Sequence, residues 1–177
     1  MTSRQILSID HPLLRKQATP VTRFGPALRR LADDMFETLQ AAAGRGLAAP
    51  QVGRGIRLFV AEDENEQIAL CNPMITLTEG ETFGTEGCLS FPGFVGLHIR
   101  RAARIEIQAQ DLHGAPFQLV AEGYLARVVQ HEIDHLDGIL FLDHLADLSN
   151  LRKLRSMPPD DIDAKPETGV TADEALP

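Results

Sequence analysis

The sequence predicts an α+β fold: antiparallel or mixed sheets packed around a central helix, with an N-terminal helix and a short C-terminal helix. Three observations predict it. Between residues 56 and 121, short runs of apolar residues alternate with polar ones and are divided by turn residues, the pattern of half-buried strands. Two longer stretches, beginning at Pro26 and at Gly123, place apolar residues three and four apart instead, which is helical spacing. The second of these carries His131-Glu132-Ile133-Asp134-His135, a HExxH pentad flanked by Val128, Val129 and Leu136.

Taken in order, residues 1–24 hold a short apolar start and the punctuating prolines Pro12 and Pro20, consistent with extended chain and turns. Pro26 suits a first helical position. The stripe Leu28, Leu31, Met35, Leu39 and Ala42 then continues a helix to Gly44. Gly44-Arg45-Gly46-Leu47-Ala48-Ala49-Pro50-Gln51 is a small-residue segment where backbone can approach a ligand or a neighbouring strand closely. It has neither the Gly-Lys-Ser/Thr ending nor the preceding strand of a phosphate loop. Strands are expected at Ile56–Val60, Gln67–Asn72, Met74–Thr78, Phe94–Arg100, Arg104–Gln110 and Pro116–Ala121. Asp111-Leu112-His113-Gly114 joins the last two as a hairpin. After the pentad helix, which Gly138 stops, the sequence suggests an extended Ile139–Leu142. A brief helix around Asp147–Ser156 follows, with Leu148, Leu151 and Leu154 on one side. These boundaries give one domain over residues 1–156 and an acidic, aperiodic tail over 157–177.

Composition narrows the function. At 177 residues, with 44% hydrophobic and 24% charged residues, the chain is long enough for one domain with its own core. No apolar run reaches membrane-spanning length, and Met1–Asp10 lacks the basic-then-apolar layout of a signal peptide. A cytoplasmic location without membrane contact is therefore expected. Only Cys71 and Cys88 are present, too few for a disulfide scaffold. A net charge of −8 argues against specific binding to DNA or RNA.

The pentad carries the chemistry. Residues four apart on a helix lie one turn above each other, so His131 and His135 can aim two imidazoles at one point. Glu132 is rotated by about 100° and can lean beside that point without joining the coordination shell. With 6 histidines in the chain, chance yields about 0.01 such matches, which favours a metal site over two surface histidines on an amphipathic helix. A tetrahedral ion then needs a third protein donor and an open position. Candidates are His11, His98, His113, His144, a carboxylate, or Cys88. The setting Glu86-Gly87-Cys88-Leu89-Ser90-Phe91-Pro92-Gly93 gives Cys88 a non-helical backbone that can project a thiolate, although a buried structural thiol fits equally.

Three segments, Gly44–Gln51, Glu86–Ser90 and Gln130–Leu136, together resemble the three motifs of peptide deformylases in order and spacing, and the layout resembles that family from about residue 3 to 155. The resemblance implies Cys88, His131 and His135 as metal ligands and Glu132 as the catalytic acid/base. It implies that Gln51 and the Leu89 amide contact the oxyanion, and that Gly46 backbone pairs with an extended substrate. The implied cofactor is one divalent ion, Fe(2+) in the cell, with Zn(2+), Ni(2+) or Co(2+) as substitutes. The implied partners are N-formylmethionyl nascent peptides, from which formate is removed.

This sequence departs from the family pattern at two places. Arg45 stands where an aliphatic residue is frequent, and Val95 where some members carry a base for the substrate carboxylate. A basic C-terminal helix docks some members on the ribosome; Arg152, Lys153 and Arg155 form only a short cluster before the acidic tail, implying at most a weak, transient contact. The rival readings are a zinc endopeptidase, since HExxH is widely shared, and a non-catalytic metal-binding relative, against which Glu132 counts. Around the ligands, Glu86 is expected to pair with Arg100 and brace the Cys88 segment.

Overall fold

The structure, a computed structural model, describes residues 3–63 and 66–154. Helix α1 spans Pro26–Ala41 and helix α2 spans Gly123–Asp137. Strands β1 (Gly46–Ala48), β2 (Leu58–Asp63) and β3 (Glu66–Glu79) are followed by β4 (Thr82–Gly87) and β5 (Phe94–Arg101). Strands β6 (Arg104–Gln110) and β7 (Pro116–Glu122) precede α2, and β8 (Leu151–Lys153) comes after it. They form a five-stranded sheet in the order β1-β2-β3-β6-β7 and a three-stranded sheet in the order β4-β5-β8. All pairings between these strands are antiparallel.

Helix α2 has two buried faces of opposite character, and that sets the architecture. Ala126, Val129, Ile133 and Leu136 recur at helical spacing and pack with Phe59, Leu70, Ile105 and Ile107 of the five-stranded sheet. Val129 and Leu136 are fully buried, each contributing about 1.5–3 kcal/mol relative to exposure. The other stripe, Arg127, Gln130, His131 and Asp134, is polar and bonds to Glu86, Arg101, Ala102 and backbone carbonyls around the β4–β5 hairpin. Gly138 ends the helix at φ 76°, its N–H capping the Asp134 and His135 carbonyls. A Cβ there would lie 2.9 Å from the Arg15 carbonyl, so space and conformation both demand glycine. Helix α1 lays Leu28, Leu31, Met35 and Leu39 against Leu47, Leu58 and Val60, covering the sheet elsewhere.

Several expected elements differ in detail. Gln67–Asn72 and Met74–Thr78 belong to one strand, β3, which absorbs the interruption as register shifts between Cys71/Met74 and Ile75/Leu77. Strand β4 lacks a clear alternation in sequence because Gly84 and Gly87 take strand positions. The extended segment expected at Ile139–Leu142 is instead followed into a 3-10 turn, Phe141–His144. No C-terminal helix forms among the described residues: Leu148–Asn150 is a 3-10 turn capped by Asp147, and Leu151–Lys153 is strand β8. The leucine spacing there mimics a helix. The β5 edge at Phe94, Val95 and Gly96 pairs with Lys153, Arg152 and Leu151, and Leu151 packs beside the Cys88–Ile99–Phe141 cluster. Those tertiary gains override a short segment's weak propensity. Residues 155–177, including Arg155 and the acidic tail, lie outside the described residues.

Candidate metal centre

The site lies where α2 meets the end of β4. Cys88 follows the last residue of β4, and a turn closes behind it through the Phe91 N–H to the Cys88 carbonyl, 2.9 Å. His131 and His135 come from successive turns of α2, their rings 4.9 Å apart and nearly perpendicular. Ligating atoms of Cys88, His131 and His135 all lie within 4.8 Å of one another, with the Cys88 Sγ 3.3 Å from His135 Nε2. All three residues are buried. The other histidines are elsewhere: His11 caps a 3-10 turn, His113 sits in the β6–β7 hairpin, His98 is exposed on β5, and His144 contacts Asp134 and Arg101.

This donor set fits a divalent cation. Two imidazoles and a thiol converge, and an ion and protons compete for the same lone pairs. Burial, then the neighbouring His131, holds His135 well below its ordinary pKa, keeping it in the neutral form a ligand needs. Burial opposes a charge on His131, but bonds to Cys88 and Glu86 outweigh it and raise that group. Its Nδ1 faces Glu86 Oε2 at 3.0 Å, so the opposite ring nitrogen is left for the donor cluster.

Glu132 is 3% exposed, and its Oε2 has no hydrogen-bond partner among the described residues. Burial pushes its carboxyl up to about 7; His131 pulls it down, while Glu86 and Asp134 push it further up. A carboxyl so placed can exchange a proton near neutrality. Gly46 makes room for it: a Cβ on Gly46 would lie 2.3 Å from Glu132 Oε1. Gln51, in the 3-10 turn Ala49–Val52, accepts from the Ala48 N–H through Oε1 at 2.8 Å. That bond turns its amide nitrogen toward Cys88 Sγ, 3.5 Å, and Ser90 Oγ, 3.2 Å. The N-terminal segment stitches these parts together, Leu7 N–H donating to the Gln51 carbonyl and Ile9 N–H to that of Ser90. A cleft of about 530 Å³ opens onto Gly46, Gln51, Cys88, Leu89, His131 and Glu132, and Arg45 and Val95 also line it.

The bracing of Glu86 differs from expectation. Arg100 points outward and pairs with the exposed Glu81; Arg101 is the buried partner, donating to Glu86 Oε1 at 2.8 Å and Oε2 at 2.9 Å. Adjacent strand residues face opposite sides, and β4–β5 pairs Thr82 with Arg101, which puts Arg101 on the face Glu86 shares. Arg101 also reaches Asp134 at 2.6 Å, and Arg127 donates to Glu86 Oε1 at 2.9 Å. Burial opposes ionisation of Glu86, but the bonds from Arg101 and His131 hold it well below the usual carboxylate range. Arg101, Arg127, Gln130 and Asp134 are the site-supporting residues that motif reading missed. Their signal was the polar stripe 127, 130, 131, 134 on a helix that is buried.

An α+β fold that closes a buried Cys–His–His donor set and a carboxylate over an open cleft has the layout of a metallohydrolase. The polypeptide deformylase family model matches residues 3–151. The chain belongs to the peptide deformylase family. It is 50% identical over 147 residues to the peptide deformylase of Heliobacterium modesticaldum, covering 82% of this chain and 95% of that protein. The crystal structure of the Thermus thermophilus enzyme superposes with a TM-score of 0.78 at 50% identity, over 80% of this chain and 85% of that one. That of Thermotoga maritima gives 0.80 at 41% identity, over 83% and 100%.

Proposed function

We propose that this chain removes the N-formyl group from the initiator methionine of nascent proteins and releases formate. The observation that carries the reading is the convergence of Cys88, His131 and His135 donors within 4.8 Å beside a buried, unpartnered Glu132 oxygen, in a chain of this family. Cys88, His131 and His135 would hold the metal. A divalent cation held there supplies a Lewis acid that acidifies water and polarises the formyl carbonyl. Glu132 takes the proton from the attacking water and returns it to the departing amine, a role suited to a buried carboxyl with an unpartnered oxygen beside the donor set. The Gln51 amide and the Leu89 backbone N–H stabilise the oxyanion that forms; loss of one such donor costs about 2.7–4 kcal/mol of barrier. The backbone of Gly46, on the edge strand β1, pairs with the extended peptide whatever its side chains are.

We assign Fe(2+) as the resident ion, with Zn(2+), Ni(2+) or Co(2+) able to substitute, because a His₂Cys set accepts several borderline cations. The substrate places the enzyme in the cytoplasm beside translating ribosomes. The exposed Arg152 and Lys153 on β8 support at most a weak, transient ribosome contact. No described helix is long and apolar enough to cross a membrane.

The test is formate release from a formyl-Met peptide by protein purified without oxygen, with metal analysis of the same sample. Stoichiometric formate with the peptide bonds intact is expected. Internal peptide cleavage without formate would replace this reading with an endopeptidase, and zinc as the metal of the most active anaerobic fraction would overturn the iron assignment.

A further inference from the structure

We propose that Arg127 is a positioning residue for the metal centre, a strut that sets the distance between the Cys88 donor and the two histidine donors. The inference rests on the metal reading above. The donors belong to two separate elements: Cys88 leaves the end of β4, whereas His131 and His135 ride on α2. Their spacing therefore depends on how the β4–β5 hairpin is held against the helix. Helix α2 spends its apolar face on the five-stranded sheet and turns the polar stripe Arg127, Gln130, His131 and Asp134 to the hairpin. Across that interface, directional bonds rather than apolar packing fix the separation.

Arg127 is the member of the stripe that reaches both strands. It is 6% exposed, and its Nη1 donates to the Ile99 carbonyl of β5 at 2.9 Å and to Glu86 Oε1 of β4 at 2.9 Å. Its Nη2 donates to the Thr82 carbonyl of β4 at 3.2 Å. It stands one helical turn before His131, and the two side chains hold opposite oxygens of one carboxylate, Arg127 on Glu86 Oε1 and His131 Nδ1 on Oε2. Glu86 is itself two residues before Cys88, so the strut ends close to both sets of donors. Gly84 on β4 is shaped to it: a Cβ there would lie 3.0 Å from the Arg127 Cζ, Nε and Nη2. A planar fork of several donors can satisfy three acceptors at once, whereas a lysine ammonium offers the charge without that geometry.

The test uses the full chain loaded with Co(II) under anaerobic conditions. Its readouts are the thiolate-to-cobalt charge-transfer absorption and the Co(II) dissociation constant, measured by chelator competition. The wild-type protein is expected to show the band and Cys88→Ala to lack it. A wild type without the band would overturn the metal reading and this inference with it. Given the band, Arg127→Met is expected to raise Kd at least tenfold and weaken the absorption while far-UV circular dichroism stays native. Arg127→Lys should behave the same way, because it restores charge but not the fork; recovery to within twofold of wild type would overturn the strut. Gly84→Ala keeps the arginine and pushes it by a few tenths of an ångström, so it carries the test if Arg127→Met does not fold, with Kd expected to rise threefold or more. A folded Arg127→Met, or Gly84→Ala in its place, with Kd within twofold and an unchanged band would overturn the inference and leave the metal reading intact.

Discussion

Gly46→Ala should disable the enzyme without emptying its metal site. The new Cβ would stand 2.3 Å from Glu132 Oε1 and 2.8 Å from both its Cδ and Cγ. Non-bonded carbon atoms settle at about 3.5–4.0 Å, so the separation must open by roughly 1 Å. Rotating the carboxylate alone cannot relieve it, because the Cγ is also too close. Glu132 is buried on a helix packed on both faces, and Gly46 lies on a strand paired with β2. Either the carboxylate or the strand edge must shift. A displacement of about 1 Å in a reacting group can cost about 100-fold, near 2.7 kcal/mol of barrier. That lies at the lower end of what a general acid/base contributes, about 10²–10⁴. Formate release gives kcat and KM, and metal analysis of the same protein reports the site. The expected result is a fall of about 100-fold, mostly in kcat, with full metal content, since Glu132 lies outside the proposed ligand set. A kcat/KM within threefold of wild type would refute the claim that Glu132 needs the space Gly46 leaves. A rise in KM with kcat preserved would move the role of Gly46 to peptide pairing alone.

Four further outcomes are expected. Glu132→Gln should keep stoichiometric metal and lose at least 100-fold in turnover, whereas Cys88→Ala should lose metal and activity together; near-normal turnover of metal-loaded Glu132→Gln would sink the acid/base role. Arg101→Ala takes the two-pronged partner from the buried Glu86, leaving it to Arg127 and His131, and should cost about 3 kcal/mol in urea unfolding; Arg100→Ala removes an exposed pair and should cost at most about 1 kcal/mol, so equal losses would contradict the network. In the metal-free protein, Glu132 is raised from 4.5 to about 7, so its stabilising contribution is present below pH 4.5 and is lost as pH rises through about 7. Glu132→Gln should therefore gain on wild type by an amount on the order of 3 kcal/mol between pH 4 and 8, and a difference flat with pH would contradict the buried carboxyl. Truncation after Ser156 should leave kcat/KM on a formyl peptide unchanged, a loss above tenfold placing the tail near the cleft.

How much of this was legible in the sequence depends on the range of the information. Both helices were, because their period and stops are local: Leu28, Leu31, Met35 and Leu39 in α1, and Val129, Leu136 and the closing Gly138 in α2. The β6–β7 hairpin was legible for the same reason, since Asp111 Oδ1 accepts from the His113 and Ala115 N–H groups and Gly114 takes φ 85°. Strand β8 was not. Leu148, Leu151 and Leu154 have helical spacing, but Leu148 is 80% exposed and the segment's structure is decided by the open edge of β5, far away in sequence. Arg101 escaped for a related reason. Choosing between Arg100 and Arg101 requires the register of β4 on β5, and one residue of slip exchanges the two faces.

The donor set and its supports differ in the same way. His131, Glu132 and His135 were readable because one helix fixes their mutual geometry, whatever lies around it. The braces of that geometry are tertiary, yet they left a local trace. A helix flanked by strands that buries His131, Glu132 and His135 also covers the residues beside them in the stripe: Arg127 and Gln130 are buried and Asp134 is half-buried. An arginine, a glutamine and an aspartate in such positions cannot remain unpaired at tolerable cost. They require a second, polar surface facing the helix, with carboxylates and carbonyls for Arg127 and a base for Asp134. The β4–β5 hairpin meets that requirement through Glu86, Thr82, Ile99 and Arg101. A buried helix whose apolar stripe covers barely half its circumference thus implies two partners, one for each face. In this protein His131, a proposed metal ligand, lies on the face whose partner had to be polar.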